Sequence, residues 1–370
     1  MNLRIPGPTP CPEDVLEAMS GQMINHRGPE FAEIVARVTD GLKLLFQTEN
    51  DVFILTASGT GAMESVVVNM LSPGDRVLNV SIGAFGDRFA LIAETYGAEV
   101  TRLDFEWGSA ADPQQVAGAL RADGSLKAVF VTHNETSTGV TNDLEAIAKA
   151  CREAKPDALI LVDAISSLGS LPCAVDAWDL DVVATGSQKG WMVPPGLAMV
   201  SVSPRAWQAY EQAKMPRVYF DFGRARDFLT KGQTPWTPAI SIFYAMDVAL
   251  KTLLADGLEA IFSRQERFGE LTRREVKALG LALFADERFA SNTVTAVKVP
   301  ESVDGPALNK LMRDEFDTVL AGGQAKLAGK IFRIGHLGWV SEEEILATFE
   351  SLRSALPKLG YSLPEATPAR

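Results

Sequence analysis

A lysine and an aspartate, each set just past a short apolar run, are the residues of this chain most suited to covalent chemistry. Asp163 follows the run Ala158–Val162, and Lys189 follows Asp181–Ala184 by way of Gly186-Ser187-Gln188. Both runs have the length and β-branched content of buried strands. In an open parallel sheet, ligands gather beyond the carboxyl ends of the strands. An anion and an amine at such ends therefore face one crevice. Lys189 lies between Gly186 and Gly190 and ahead of Pro194-Pro195-Gly196, so it sits on a tightly turned, irregular segment. An amine held there with a lowered proton affinity is suited to act as a Schiff-base nucleophile. A lone loop lysine is usually just solvated; the paired Asp163 and the glycine–proline frame argue for more.

The elements that must position these groups can be read along the chain. Val52–Leu55 forms a strand that feeds Ser58-Gly59-Thr60-Gly61, with a helix from Ala62. The free N–H groups at a helix start, with its dipole, make an anion site. The turn lacks the third glycine of a dinucleotide fingerprint and the Lys-Ser/Thr of a P-loop. Arg76–Val80 reads as the next strand and leads to Phe85, flanked by Gly83 and Gly86, where a flat side chain can stack on a planar ligand. Lys127–Val131 ends in THNETSTG, residues 132–139, which places His133 in the same crevice as Asp163 and Lys189. Alternating strands and helices with short connections predict an α/β fold with a mainly parallel sheet flanked by helices.

Beyond residue 204 the chain reads as helical, then irregular over 221–240, then as two helices, Ala239–Asp256 and Leu258 to about Leu279. The C-terminal part reads strand, helix, strand, strand, helix, a smaller α+β domain. The expected organisation is an extended segment 1–14, a large domain 15–256 and a small domain 257–370. Arg333 sits near the end of a short strand in KIFRIGHLG, and a guanidinium is the best side-chain clamp for a carboxylate.

Composition narrows the field. The net charge is −12 with no basic cluster, which speaks against nucleic acid or an anionic membrane as partner. Cys11, Cys151 and Cys173 show no paired spacing, so no disulfide framework, zinc site or other metal site is expected. No apolar run approaches membrane-spanning length and no signal-peptide core is present, so a cytoplasmic protein is expected.

VDAISSLG (162–169), TGSQKGWMVPPG (185–196), GAFGDR, THNETSTG and RIGHLG together resemble the class V pyridoxal-phosphate aminotransferases of the alanine/serine–glyoxylate type. Some relatives in that family are labelled soluble hydrogenase small subunits. The resemblance, over about residues 5 to 338, implies a fold-type I pyridoxal-phosphate transferase working as a homodimer with its site between subunits. It implies that Lys189 holds pyridoxal 5′-phosphate as a Schiff base and that Asp163 pairs with the ring nitrogen, a recurrent partnership in such enzymes. It further implies Gly59, Thr60, Gly61 and Gln188 at the phosphate, Phe85 over the ring, and Thr136 and Ser137 at the cofactor's ring oxygen or the substrate. Arg333 would take the substrate carboxylate. Thr234 or Thr237 would reach the partner's phosphate, and His26 and Arg27 would lie near the site mouth.

The activity so implied is ping-pong transfer of an amino group from alanine or serine to glyoxylate or pyruvate. No second arginine stands out as a clamp for a side-chain carboxylate, although Arg27, Arg224 or Arg226 could reach the site. A 2-aminoethylphosphonate transaminase, a lyase, or a desulfurase with a loop cysteine are rival members of the class. A non-catalytic hydrogenase-associated subunit is the rival outside catalysis.

Overall fold

The computed structural model describes residues 1–364. In chain order its strands are β1 (Asn2–Arg4), β2 (Asp51–Ala57), β3 (Arg76–Ser81), β4 (Glu99–Asp104), β5 (Leu126–Thr132), β6 (Asn134–Glu135) and β7 (Val140–Thr141). They continue with β8 (Leu159–Asp163), β9 (Val182–Gly186), β10 (Gly196–Val202), β11 (Val294–Lys298), β12 (Thr318–Gly322) and β13 (Ile331–Gly335).

A seven-stranded sheet has the order β2-β10-β9-β8-β5-β3-β4. The pairs β3–β4, β3–β5, β5–β8 and β8–β9 are parallel, and β10 runs antiparallel to both its neighbours. Successive side chains of the central strands feed opposite cores, as a period of two requires. Ile160 and Val162 of β8 belong to one core, whereas Leu159 and Leu161 belong to the other. Leu161 is fully buried, so Leu161→Ala would cost about 2–5 kcal/mol through lost burial and a residual cavity.

A second sheet, β1-β12-β13-β11, forms the smaller layer. The helices Gly305–Phe316 and Glu342–Lys358 pack on it around a third core that runs from Phe268 to Leu356. The long helix Leu258–Ala278 serves both layers, with Ile261 in the large-sheet core and Phe268 in the third.

Several elements differ from the sequence expectations. The N-terminal segment is not merely extended: Asn2–Arg4 pair in parallel with Thr318–Leu320 and join the second sheet. β10 occupies a stretch whose Pro-Pro-Gly punctuation suggested loop. β4 is an edge strand with charged, exposed side chains, which hides its apolar alternation. The stretch expected to be irregular contains the helix Phe222–Leu229, capped by Asp221, whose carboxylate accepts from the Arg224 N–H.

Candidate active site

Register alone brings the two chemical residues to one end of the sheet. Asp163, the last residue of β8, pairs with Thr132 of β5 and Ala184 of β9, and Lys189 lies just past the end of β9. Both line one cleft with Gly59, Thr60, Phe85 and Thr136. Asp163 is buried, and its Oδ1 accepts a hydrogen bond from the Ile165 N–H at 3.0 Å. Burial pushes its carboxyl up to about 7, with the Glu135 charge adding to the rise and Lys189 and Arg88 opposing it. Burial likewise lowers the Lys189 amine to about 8, helped by Arg333 and opposed by Asp163.

The lysine is held from above by the N-terminal segment. Its Nζ donates to the Pro6 carbonyl at 2.6 Å, and the Thr9 hydroxyl donates to the Lys189 carbonyl at 3.1 Å. Gly7 has a φ of +139° and is so close that a Cβ there would lie 2.5 Å from Lys189 Nζ. The positive φ favours glycine, and a side chain there would displace the Lys189 amine.

After β2, Ser58 caps the helix Gly59–Met70. Its hydroxyl accepts from the Gly61 N–H at 3.4 Å and its carbonyl from the Ala62 N–H, which leaves the Gly59 and Thr60 N–H groups with no intrahelical acceptor. A Cβ on Gly186 would lie 2.9 Å from Gln188 Oε1 and 3.3 Å from Gly59 Cα, so β9 meets the helix start by glycine contact. Gln188 Oε1 is buried without a partner in the chain.

Sequence reasoning missed Arg88, Asn134, Ile165 and Ser166, all of which line the cleft. The Arg88 guanidinium lies 4.7 Å from the centre of the Phe85 ring and donates to the Thr60 hydroxyl at 3.3 Å. The signal was available: Phe85 and Arg88 stand three apart at the start of the helix Ala84–Thr95, so they share a face. Ile165 reaches the cleft because its side chain packs on Gly59, where a Cβ would lie 2.7 Å from Ile165 Cδ1.

Arg333, on β13, is 6% exposed. Its Nε and one terminal nitrogen donate to the Gly322 carbonyl at 3.0 and 2.8 Å, and the other donates to the Thr136 carbonyl at 2.9 Å. Among the described residues its hydrogen bonds go only to neutral carbonyls. Desolvation lowers it to about 10, which Glu135 opposes. A buried cation with this environment is unsaturated toward an anion.

Other expected residues are placed elsewhere. His133 does not enter the cleft: it lines a separate cavity with Trp178, Asn142 and Leu171. There burial drops its imidazole to about 4. Thr132 is in register with Asp163, so the next residue points to the other face. Ser137 is also absent from the cleft. It is fully buried, its hydroxyl donates to Glu135 at 2.6 Å and accepts from the Ala84 N–H at 3.0 Å. Thr234 and Thr237 lie away from this chain's own cleft; the Thr234 hydroxyl donates to the Trp236 carbonyl at 2.7 Å, and Thr237 is exposed. Arg27 is spent on the same loop, donating to the Thr234 carbonyl at 2.6 Å.

A lysine amine and a buried carboxyl across a glycine-lined helix start, on this sheet order, define a fold-type I pyridoxal-phosphate enzyme. The model of the aminotransferase class-V family matches residues 1–338, and the chain belongs to that family. It is 49% identical over 97% of its length, and 94% of the other chain, to the soluble hydrogenase small subunit of Synechococcus sp. (strain PCC 6716). It is 38% identical to the serine–glyoxylate aminotransferase of Methylorubrum extorquens, covering 96% of this chain and 90% of that one. The crystal structure of ureidoglycine–glyoxylate aminotransferase from Bacillus subtilis superposes with a TM-score of 0.92 at 30% identity, over 98% of this chain and 95% of that one. The protein is a pyridoxal-phosphate-dependent transaminase acting on small amino and 2-oxo acids. Among the described residues no helix is long and apolar enough to cross a membrane.

Proposed function

We propose that the protein transfers the amino group of alanine or serine to glyoxylate or pyruvate, and that Arg333 receives the substrate carboxylate. The observation that carries this reading is the buried Arg333 guanidinium, bonded only to carbonyls and electrostatically coupled to Lys189. The alternatives for a second clamp are engaged elsewhere. Arg27 binds loop carbonyls, Arg226 stacks on Trp207 at 4.0 Å, and Arg224 lies over Trp236. That favours substrates without a side-chain carboxylate.

The chain fits pyridoxal 5′-phosphate. The unbonded Gly59 and Thr60 N–H groups and Arg88 form a cradle for a phosphate, with Gln188 beside it in the same cleft. Phe85 and Ile165 supply apolar faces for a ring, and Asp163 supplies a carboxyl for its nitrogen. When bound, the cofactor supplies an electron-accepting ring that acidifies the substrate's α-proton.

The residues then divide the work. Lys189, with its proton affinity near neutrality, takes and returns a proton at Nζ as general base and acid. Asp163 holds the ring-nitrogen proton from a dry site, where its charge acts at high strength. Arg333 orients the carboxylate so that the α-proton faces Lys189. The segment Pro6–Thr9 covers the lysine and excludes water.

We also propose a homodimer. Val218 and Tyr219 are 66% and 46% exposed, and Tyr219 stacks on Trp236 in the segment that carries Thr237. Phe220 of the same patch backs the phosphate turn, since a Cβ on Gly61 would lie 3.2 Å from its ring. The free Thr237 hydroxyl suits a partner's phosphate better than the occupied Thr234 hydroxyl does.

The test is a donor–acceptor matrix with purified enzyme: alanine, serine, aspartate and 2-aminoethylphosphonate against glyoxylate, pyruvate and 2-oxoglutarate. The reading expects the highest kcat/KM for alanine or serine with glyoxylate or pyruvate. A clear preference for aspartate or aminoethylphosphonate would overturn it. Absence of any donor-dependent turnover would leave a subunit role ahead.

A further inference from the structure

Among the described residues, Glu135 is the one fully buried carboxylate close to the cleft that the reaction, as derived above, leaves without a task. Its environment is unusual. Oε1 accepts from the Ser137 N–H at 3.0 Å and the Ser137 hydroxyl at 2.6 Å. Oε2 accepts from the N–H groups of Phe85 at 2.9 Å and Gly86 at 3.2 Å. The Ser137 oxygen also accepts from the Ala84 N–H, which turns its own proton toward Glu135. All four hydrogen bonds to the carboxyl are thus donated to it, the arrangement that favours the anion. Burial pushes Glu135 up, and these four donors oppose the rise.

The two groups it charges belong to the proposed transamination site, and this inference rests on that reading. Among the described residues Glu135 forms no ion pair; the charges that sense it are Asp163 on β8 and Arg333 on β13. Lys189, past β9, and Arg88, on the helix Ala84–Thr95, act on Asp163 in the opposite sense. Phe85, the ring-stacking candidate, is attached directly to the Glu135 carboxylate through its N–H.

We propose that Glu135 is a positioning residue that fixes the helix start bearing Phe85 and, as a buried carboxylate held by four donors, keeps a proton on the pair formed by Asp163 and the cofactor's ring nitrogen. A fixed negative charge behind that pair raises its proton affinity. The same charge compensates Arg333 and so keeps the clamp cationic until a substrate carboxylate arrives.

The experiment follows ring protonation directly. Protein reconstituted with pyridoxal phosphate carrying 15N in the ring is titrated by NMR, for wild type, Glu135→Gln and Glu135→Asp. The proposal expects the wild-type nitrogen to stay protonated through about pH 8. It expects Glu135→Gln to lower the midpoint by about one unit or more, and Glu135→Asp, which keeps the charge, to stay with the wild type. A Glu135→Gln midpoint equal to wild type, or a Glu135→Asp midpoint displaced as far as that of Glu135→Gln, overturns it. Circular dichroism establishes whether Glu135→Gln folds. If it does not, wild-type deprotonation well below about pH 8 overturns the proposal and retention supports it. Failure of the wild type to bind the labelled cofactor would instead remove the transaminase reading, a separable outcome.

Discussion

Replacing Arg333 by lysine probes the proposed clamp without deleting its charge. A guanidinium has five N–H donors. Three are taken by the Gly322 and Thr136 carbonyls, and 5 − 3 leaves two, one on each terminal nitrogen. That remaining pair matches the two oxygens of a carboxylate. Each hydrogen bond between charged groups is worth about 1.5–3 kcal/mol, so the clamp contributes roughly 3–6 kcal/mol. A lysine ammonium can serve the two buried carbonyls or reach the substrate, but its geometry does not allow both. A loss of about 3 kcal/mol corresponds to roughly a hundredfold fall in kcat/KM. The assay is the amino-acid-dependent change in cofactor absorbance by stopped flow, over a range of serine concentrations. Arg333→Lys should bind cofactor normally, because Arg333 is not among the residues lining the cofactor cleft, and should lose most of its efficiency through KM. Efficiency within about threefold of wild type, equivalent to well under 1 kcal/mol, would refute the clamp. So would loss of cofactor with substrate affinity retained.

Two further perturbations test other parts of the account. Gly7→Ala places a methyl 2.5 Å from Lys189 Nζ at a φ of +139°, so kcat should fall by about tenfold or more while the fold, measured by circular dichroism, stays intact. Wild-type turnover would show that the N-terminal segment does not bear on the lysine. His336 is buried, its Nε2 lies 3.0 Å from the Thr295 hydroxyl, and desolvation depresses it to about 3 from 6.5. Its folded pKa is below the unfolded one, so its contribution is present above pH 6.5 and is lost as pH falls toward 3. Between pH 7 and 5 the wild type should lose about 2 kcal/mol more than His336→Gln in urea unfolding, and equal losses would refute the assignment.

The carboxyl-end logic of a parallel sheet made Asp163 and Lys189 legible, because each polar residue ends an apolar run and has no reason to be inside a strand. The turn from β2 into the helix Gly59–Met70 was legible for a similar reason, since its glycines sit where a strand becomes a helix. Orientation was harder. His133 was misplaced because it follows directly on Thr132, the β5 residue in register with Asp163, and so turns to the opposite face. Ser137 looked like a free hydroxyl because the Ala84 N–H, at the start of the helix after β3, reaches it only when that helix packs beside the turn after β5. β1 was invisible for a related reason: three residues beside prolines become a strand only through partners more than three hundred positions away.

The most direct test of the central claim is the absorption spectrum of the purified protein, wild type and Lys189→Ala, before and after L-serine or L-alanine is added without a 2-oxo acid. The account predicts a yellow band in the wild type that the amino acid converts to the shorter-wavelength form of the aminated cofactor, and no conversion cycle in Lys189→Ala. A wild type that shows no such band after addition of pyridoxal phosphate, or a Lys189→Ala variant that cycles like the wild type, would contradict it.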